Sequence, residues 1–159
     1  MADFIFQPLV DLSAQETARL GAGTGASNNL SDAERGKAVK LVAESRYDLC
    51  SVGNEIEGVI TAVEVYTAGG FSIGTIQRNK RVRVTFDGLQ ATPGTGTMAI
   101  GDYVVTGTVV AKGTALTAPL RVCKATAAGN TLNHKWRVIS LGTAGTGAVG
   151  TQGLIERVA

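Results

Sequence analysis

The stretch Ile56–Tyr66, with the sequence IEGVITAVEVY, decides the fold class because its strand pattern is clear. Every second residue from Val59 to Val65 is β-branched, which predicts that these side chains share one face of a β-strand. Residues 68–70, Ala-Gly-Gly, are typical of a hairpin turn, since glycine adopts positive φ at no steric cost. We therefore predict that residues 71–77 return as the partner strand.

Strand patterns continue to the end of the chain. Arg81–Phe86 alternates cleanly, which predicts that its two valines and Phe86 point inward while Arg81, Arg83 and Thr85 point outward. A long loop is predicted over residues 87–101. Further strands are predicted over Tyr103–Val110, Leu120–Ala125, Trp136–Leu141 and Leu154–Val158. This spacing and the glycines between the strands predict a mainly β fold, a small antiparallel sandwich or barrel.

A weak internal echo runs through this β region. Asn54–Ile60 and Gly101–Val110 both place polar residues before a valine run that a glycine interrupts. Glycine inside a strand usually marks a bulge or a barrel corner. Two such stretches do not by themselves establish a repeat.

The first 46 residues have a different pattern. Ser31-Asp32-Ala33-Glu34 matches the capping box, and apolar residues at helical spacing follow it, so one short α-helix is predicted over residues 31–46. Residues 1–30 are predicted to be an extended N-terminal arm and loop, because the segment 21–29, GAGTGASNN, has loop composition. The rest of the chain, residues 31–159, is predicted to be a single β-rich domain.

The tip of the arm is a candidate interaction site. Phe4, Ile5 and Phe6 are strongly β-prone, and they precede a flexible tether. Such a segment can add a strand to the sheet edge of a neighbouring protein. The alternative is that Phe4 and Phe6 fold back onto the core of their own chain.

The amino-acid composition and the charge distribution favour a protein that acts by surface contact. Aromatic residues make up only 5% of the 159 residues, and the chain has one histidine and two cysteines. The formal net charge of +2 is uneven, because residues 103–159 hold six basic side chains and one acid. That end of the chain therefore suits an acidic partner. No secretory signal and no apolar run of membrane-spanning length is evident, so no membrane partner is expected.

Residues that could carry chemistry are sparse, and we predict no catalytic residue, no metal site and no cofactor. Cys50 and Cys123 lie among apolar neighbours, which predicts small buried thiols. His134 lies in a polar stretch and is predicted to be a surface loop histidine. Residues 145–150 match G-x-G-x-x-G, but only nine residues follow and they read as a turn and a strand, so no dinucleotide site is expected.

A basic patch supports one alternative function. Arg78, Lys80, Arg81 and Arg83 lie close together in sequence and could bind phosphates. Binding of single strands also needs exposed aromatic rings for stacking, and the nearby Phe86 is predicted to point inward. Nucleic acid is therefore the weaker candidate partner, and the four basic residues are taken as a candidate protein-interaction site.

The layout resembles the decoration, or cement, proteins of tailed-bacteriophage capsids. The stretches that carry the resemblance are Asn54–Tyr66, Gly101–Ala125 and Trp136–Val158, and none contains a diagnostic residue. The resemblance implies a virion structural protein, made in the host cytoplasm, that binds the major capsid protein on the capsid exterior as a dimer or trimer and stabilises the shell. Other β-rich virion components, such as a shell, tail or fibre protein, remain open alternatives.

Overall fold

The computed structural model describes residues 15–21, 29–64, 71–78, 81–126 and 131–158. The described chain is mainly β. Its strands are β1 (Gln15–Leu20), β2 (Ala38–Ala43), β3 (Arg46–Leu49), β4 (Gly58–Glu64), β5 (Ser72–Gln77), β6 (Val82–Leu89), β7 (Thr92–Pro93), β8 (Tyr103–Thr106), β9 (Arg121–Lys124), β10 (Trp136–Ser140) and β11 (Gln152–Arg157). A single turn of 3₁₀ helix, Asp32–Glu34, lies between β1 and β2.

These strands form two closed sheets in succession. The first barrel has the neighbour order β1-β3-β2-β4-β5, and β5 pairs back onto β1. In the second barrel the order is β6-β9-β8-β10-β11, and the pairing of β11 with β6 closes the ring. The short strand β7 pairs with the end of β6. The predicted small antiparallel sandwich or barrel is therefore a pair of barrels, and each barrel also contains one parallel strand pairing.

The two barrels have the same topology. Numbered within each ring, and leaving out β7, the strand order is one-three-two-four-five in both. In both, the first and third strands pair in parallel, and every other pairing in the ring is antiparallel. The structure therefore contains a tandem repeat of one five-stranded unit.

The repeat extends to irregular features that topology alone does not require. A bulge interrupts the fourth strand at the same place, between Ile60 and Ala62 in the first barrel and between Val138 and Ser140 in the second. Next to the residues opposite the bulge, the fifth strand carries a glycine, Gly74 or Gly153. A Cβ atom on either would overlap the large apolar side chain of the first strand and a carbonyl oxygen of the fourth. Glycine is thus required at both positions because the backbones approach closely.

The start of the second strand is also repeated. Gly36 and Gly101 both have positive φ, and each donates its N–H to the fourth strand, to the carbonyl of Ile60 and of Val138 respectively. The matching sequence pairs are Gly36–Val39 with Gly101–Val104, and Ser72–Ile76 with Thr151–Ile155. The weak echo seen in the sequence, which set Asn54–Ile60 beside Gly101–Val110, therefore has the wrong alignment.

The helix predicted over residues 31–46 is wrong. Its capping box forms, because Ser31 Oγ accepts from Ala33 N–H and the Glu34 carboxylate accepts from Ser31 N–H. The helix nevertheless ends after one turn, because Arg35 leaves helical geometry at ψ 136° and Gly36 follows at φ 83°. The stretch that follows pairs as β2 and β3, since barrel closure outweighs a marginal helix propensity.

The predicted arm is also corrected in part. Residues Gln15–Leu20 are β1, which closes the first barrel against β5 and places Leu20 in its core. The predicted boundary after residue 30 thus falls inside the first barrel. Residues 1–14, which include Phe4, Ile5 and Phe6, lie outside the described part of the chain.

The predicted strands from residue 56 onward are confirmed, with shifted ends. The predicted faces of Arg81–Phe86 are correct for Arg83, which is exposed, and for Val84 and Phe86, which are buried, but Thr85, predicted to point outward, is buried and its hydroxyl donates to Pro119 C=O. The common face predicted from Val59 to Val65 is wrong, because the bulge after Ile60 reverses the alternation. Ile60 and Val63 pack into the first barrel, whereas Val59 packs outward against the second.

Candidate functional site

Polar contacts are concentrated where the two barrels meet. The segment 51–57, here called the junction segment, connects β3 to β4 and runs along the second barrel. Gly53 N–H donates to Thr106 C=O at 2.8 Å, and Thr106 N–H donates back to Asn54 C=O at 2.9 Å. This exchange is a short β-like pairing, so the junction segment satisfies backbone groups at the end of β8.

Trp136 joins the cores of the two barrels. The side chain is fully buried, and its indole N–H donates to Ile56 C=O at 2.8 Å. The largest apolar cluster contains Trp136 and Phe86 from the second barrel together with Ile56 and Val59 from the first. The barrels therefore share apolar burial, which stabilises them as one unit.

Two acids of the junction segment hold the start of β10. The Glu55 carboxylate accepts from the backbone N–H groups of Asn133 and His134, at 3.0 and 2.9 Å. Glu57 Oε1 lies 2.7 Å from His134 Nε2. His134 thus lies in the loop before β10, as predicted, but it is partly buried and belongs to the junction, which the sequence did not indicate.

Arg157 completes this cluster from β11. Its Nη2 lies 2.9 Å from His134 Nδ1, and its Nη1 donates to Glu57 C=O at 2.8 Å. Because a guanidinium only donates, Nδ1 must accept, and the proton of a neutral imidazole lies on Nε2, facing Glu57. Burial and the nearby Arg78 lower the pKa of Arg157, an effect that Glu57 opposes.

A buried ion pair fastens the other side of the junction. Glu34 is fully buried and accepts from Gly113 N–H, while Lys37 Nζ lies 3.7 Å from Glu34 and donates to Ala111 C=O at 2.9 Å. Burial by itself would raise the pKa of Glu34, but the hydrogen bonds from Gly113 and Ser31 outweigh it and the pKa is lowered. The loop between β8 and β9 is thereby fixed to the first barrel.

Asp87 also fastens a loop, in this case through contacts between residues of the second barrel. Its carboxylate accepts from the N–H and the hydroxyl of Thr108 and lies 3.1 Å from Arg121. Burial by itself would raise the pKa of Asp87, but the Thr108 and Arg121 contacts outweigh it and the pKa is lowered. The charged acid thus holds both ends of the β8–β9 loop.

Both cysteines are buried free thiols, as predicted. Burial raises the pKa of Cys50 and of Cys123 to about 11, so both remain protonated at neutral pH. Among the described residues, no group of three or more His, Cys, Asp or Glu side chains is placed to hold a metal ion. The described residues 145–150 form turns that lead into β11, so the G-x-G-x-x-G match opens no helix.

A cavity of about 80 Å³ lies between the barrels. Apolar side chains such as Leu49, Cys50, Val109 and Leu116 line much of it, and Lys37 and Arg121 are also among its lining residues. Pockets that bury a drug-sized ligand are several times larger, typically about 300–1,000 Å³. We therefore assign it no ligand.

The basic residues predicted as one interaction site are separated in the structure. Arg78 pairs with Glu16 and lies over the Tyr47 ring, 5.2 Å from its centroid, so it belongs to the first barrel. Arg81 and Arg83 lie on the outer face of the second barrel, and Lys80 is outside the described residues. The sequence alone could not separate them, because the change of barrel falls inside this run.

Comparison with protein-family models, with curated proteins and with solved structures finds no match for this chain. Within the described residues, no helix has the length and apolar character needed to cross a membrane. The functional argument therefore rests on the geometry of the two barrels and on the sequence.

Proposed function

We propose that this chain is a virion structural protein that binds the outer surface of an assembled tailed-phage capsid and stabilises the shell. Its partner in this proposal is the major capsid protein, and it acts as a dimer or trimer. The phage assignment rests on the resemblance of the sequence to capsid decoration proteins. The mode of action rests on how the structure uses its reactive groups.

One observation carries this mode of action. The groups that could do chemistry hold structural positions: His134 and the acids Glu34 and Asp87 form contacts that fasten loops or join the barrels, and both thiols are buried. These structural roles favour a protein that acts by binding other molecules with its surface. A protein that binds only the assembled shell stabilises it by mass action, and many copies add their effects.

The closed sheets bear on the proposed role of the arm. In the described chain, both rings are closed, and the added strand β7 contains only Thr92 and Pro93. An arm strand therefore finds little free backbone edge on the barrels of another copy. We propose that Phe4, Ile5 and Phe6 bind a sheet edge supplied by the capsid protein.

Co-sedimentation with empty shells of the encoding phage tests the function. We expect saturable binding of the full chain at a fixed number of copies per shell, and weaker binding after deletion of residues 1–12. Circular dichroism checks that the truncated chain folds. Failure of the full chain to bind shells would reject the function, whereas unchanged binding after deletion would reject only the role of the arm.

A further inference from the structure

The outer face of the second barrel carries a group of arginines on adjacent strands. Arg81 and Arg83 come from the β6 side, and Arg137 from β10. Between them, on β11, Glu156 is paired in register with Arg137 and lies 3.2 Å from Arg81. We call these three arginines and Glu156 the arginine face.

Two of these guanidinium groups are available for a partner. Arg83 and Arg137 are exposed, and no described residue forms a hydrogen bond or ion pair with either side chain. Beside Arg83 is a groove of about 200 Å³, lined also by Ser140, Thr143 and Gln152. An exposed cation next to hydroxyl and amide groups suits a carboxylate, which accepts hydrogen bonds from all of them.

Comparison of the two repeats gives a second, independent reason to regard the arginine face as an interaction surface. The bulge and the register place Arg137 at the position that Val59 occupies in the first barrel. Val59 is buried in the junction, where it packs with the core of the second barrel. The strand position that serves as an interface in one repeat is therefore exposed and cationic in the other.

We propose that the arginine face is the docking surface for an acidic patch on a partner protein. This inference deepens the proposed function, because it names the charge of the shell surface that meets the second barrel. An acidic protein surface fits better than single-stranded nucleic acid, because Trp136 and Phe86, the aromatic residues on β10 and β6, are buried inside the barrel and cannot stack on bases.

The test compares charge-reversed variants in the full chain. R83E/R137E alters the arginine face, and R35E is the control for charge reversal elsewhere on the surface, since Arg35 is an exposed arginine of the first barrel that pairs with Asp32. Binding to empty shells is measured at several salt concentrations. We expect at least a tenfold loss of affinity and a weaker salt dependence for R83E/R137E, and less than a twofold change for R35E.

A second measurement separates this inference from the proposed function. Fluorescence anisotropy is recorded with a labelled glutamate-rich peptide and with a labelled 20-base-pair DNA duplex. We expect the wild-type chain to bind the peptide more tightly than the duplex, and R83E/R137E to lose peptide binding, even if the shell is not the partner. Equal binding by wild type and R83E/R137E, or preferential binding of the duplex, would overturn the proposal.

Discussion

The two barrels share one topology but fill their interiors differently. The first barrel has Tyr47 on its third strand, where the second has Val122 at the matching register position. The second has Trp136 on its fourth strand, where the first has Gly58. The same backbone thus accepts its large aromatic residue at either of two positions. Strand pairing, the shared bulge and one required glycine are common to the two repeats. The sizes of the core side chains at matching positions differ between them.

The barrels also differ in how far their cores extend. The core of the first barrel, which includes Leu20, Tyr47 and Ile76, lies within that barrel. The core around Trp136 and Phe86 extends across the junction to Ile56 and Val59. The stability of the second barrel should therefore depend on the first more than the reverse.

The largest expected effect comes from Trp136. Trp136→Ala should lower the free energy of unfolding by about 4 kcal/mol, because it leaves a cavity and an unpaired Ile56 carbonyl at the junction. Urea denaturation followed by circular dichroism measures it. Trp136→Phe keeps most of the volume and should lose about half as much. A loss below about 1 kcal/mol for Trp136→Ala would contradict the shared core.

Next in size are the matched glycines. Gly74→Ala and Gly153→Ala should each cost about 3 kcal/mol, because each new methyl group meets a backbone carbonyl that cannot move without disturbing the bulge. The same denaturation measurement applies. Similar losses at both sites would support the repeat, and a neutral result at either site would show that the close approach is not required there.

Asp87 has no matching acid in the first barrel, where Gly21 follows Leu20 as Asp87 follows Phe86. Asp87→Asn should cost about 2 kcal/mol at pH 7, because charge-assisted bonds to Thr108 and Arg121 are weakened. The pKa values of Asp87 and Glu34 are lowered in the folded state. Their stabilisation is therefore complete above about pH 5 and is lost as the pH falls below about 4.

The pH profile provides the control for this prediction. Wild-type stability should fall between pH 5 and pH 3, and Asp87→Asn should fall less steeply because one of the two titrating acids is gone. A variant whose profile is parallel to that of the wild type would show that Asp87 does not stabilise the fold through its charge.

The smallest effect is expected at the partly exposed polar cluster of the junction. His134→Ala should cost about 1 kcal/mol, since it removes the contacts with Glu57 and Arg157. A double-mutant cycle with Glu57→Gln should give a coupling energy of about 0.5 kcal/mol or more. Additive effects of the two substitutions would contradict a direct interaction.

The sequence predicted the strands from residue 56 onward, but not β1 to β3 and not the division into two barrels. Alternation in Arg81–Phe86 gave the correct inward face for Val84 and Phe86, but Thr85, predicted to point outward, is buried. The failures came from irregular backbone, since the bulge after Ile60 has no clear sequence signal. The helix was mispredicted because a real capping box at Ser31 was followed by Arg35 and Gly36, whose backbone leaves helical geometry.

Parts of the candidate site could be found from the sequence and parts could not. Arg81 and Arg83 were predicted to point outward from one strand, and the structure places them so. Arg137 was missed because it lies far away in sequence, and only the closure of β6, β11 and β10 brings it near. The short match between Gly36–Val39 and Gly101–Val104 is visible in the sequence. Aligning these two stretches would have indicated the repeat.

Calorimetry of empty shells, with and without the full chain, tests the central claim most directly. A surface-binding stabiliser should raise the disruption temperature of the shell by several degrees at saturating protein, and R83E/R137E should raise it less than R35E does. An unchanged disruption temperature with saturating wild-type protein would contradict the claim that this two-barrel chain stabilises a capsid by binding its outer surface.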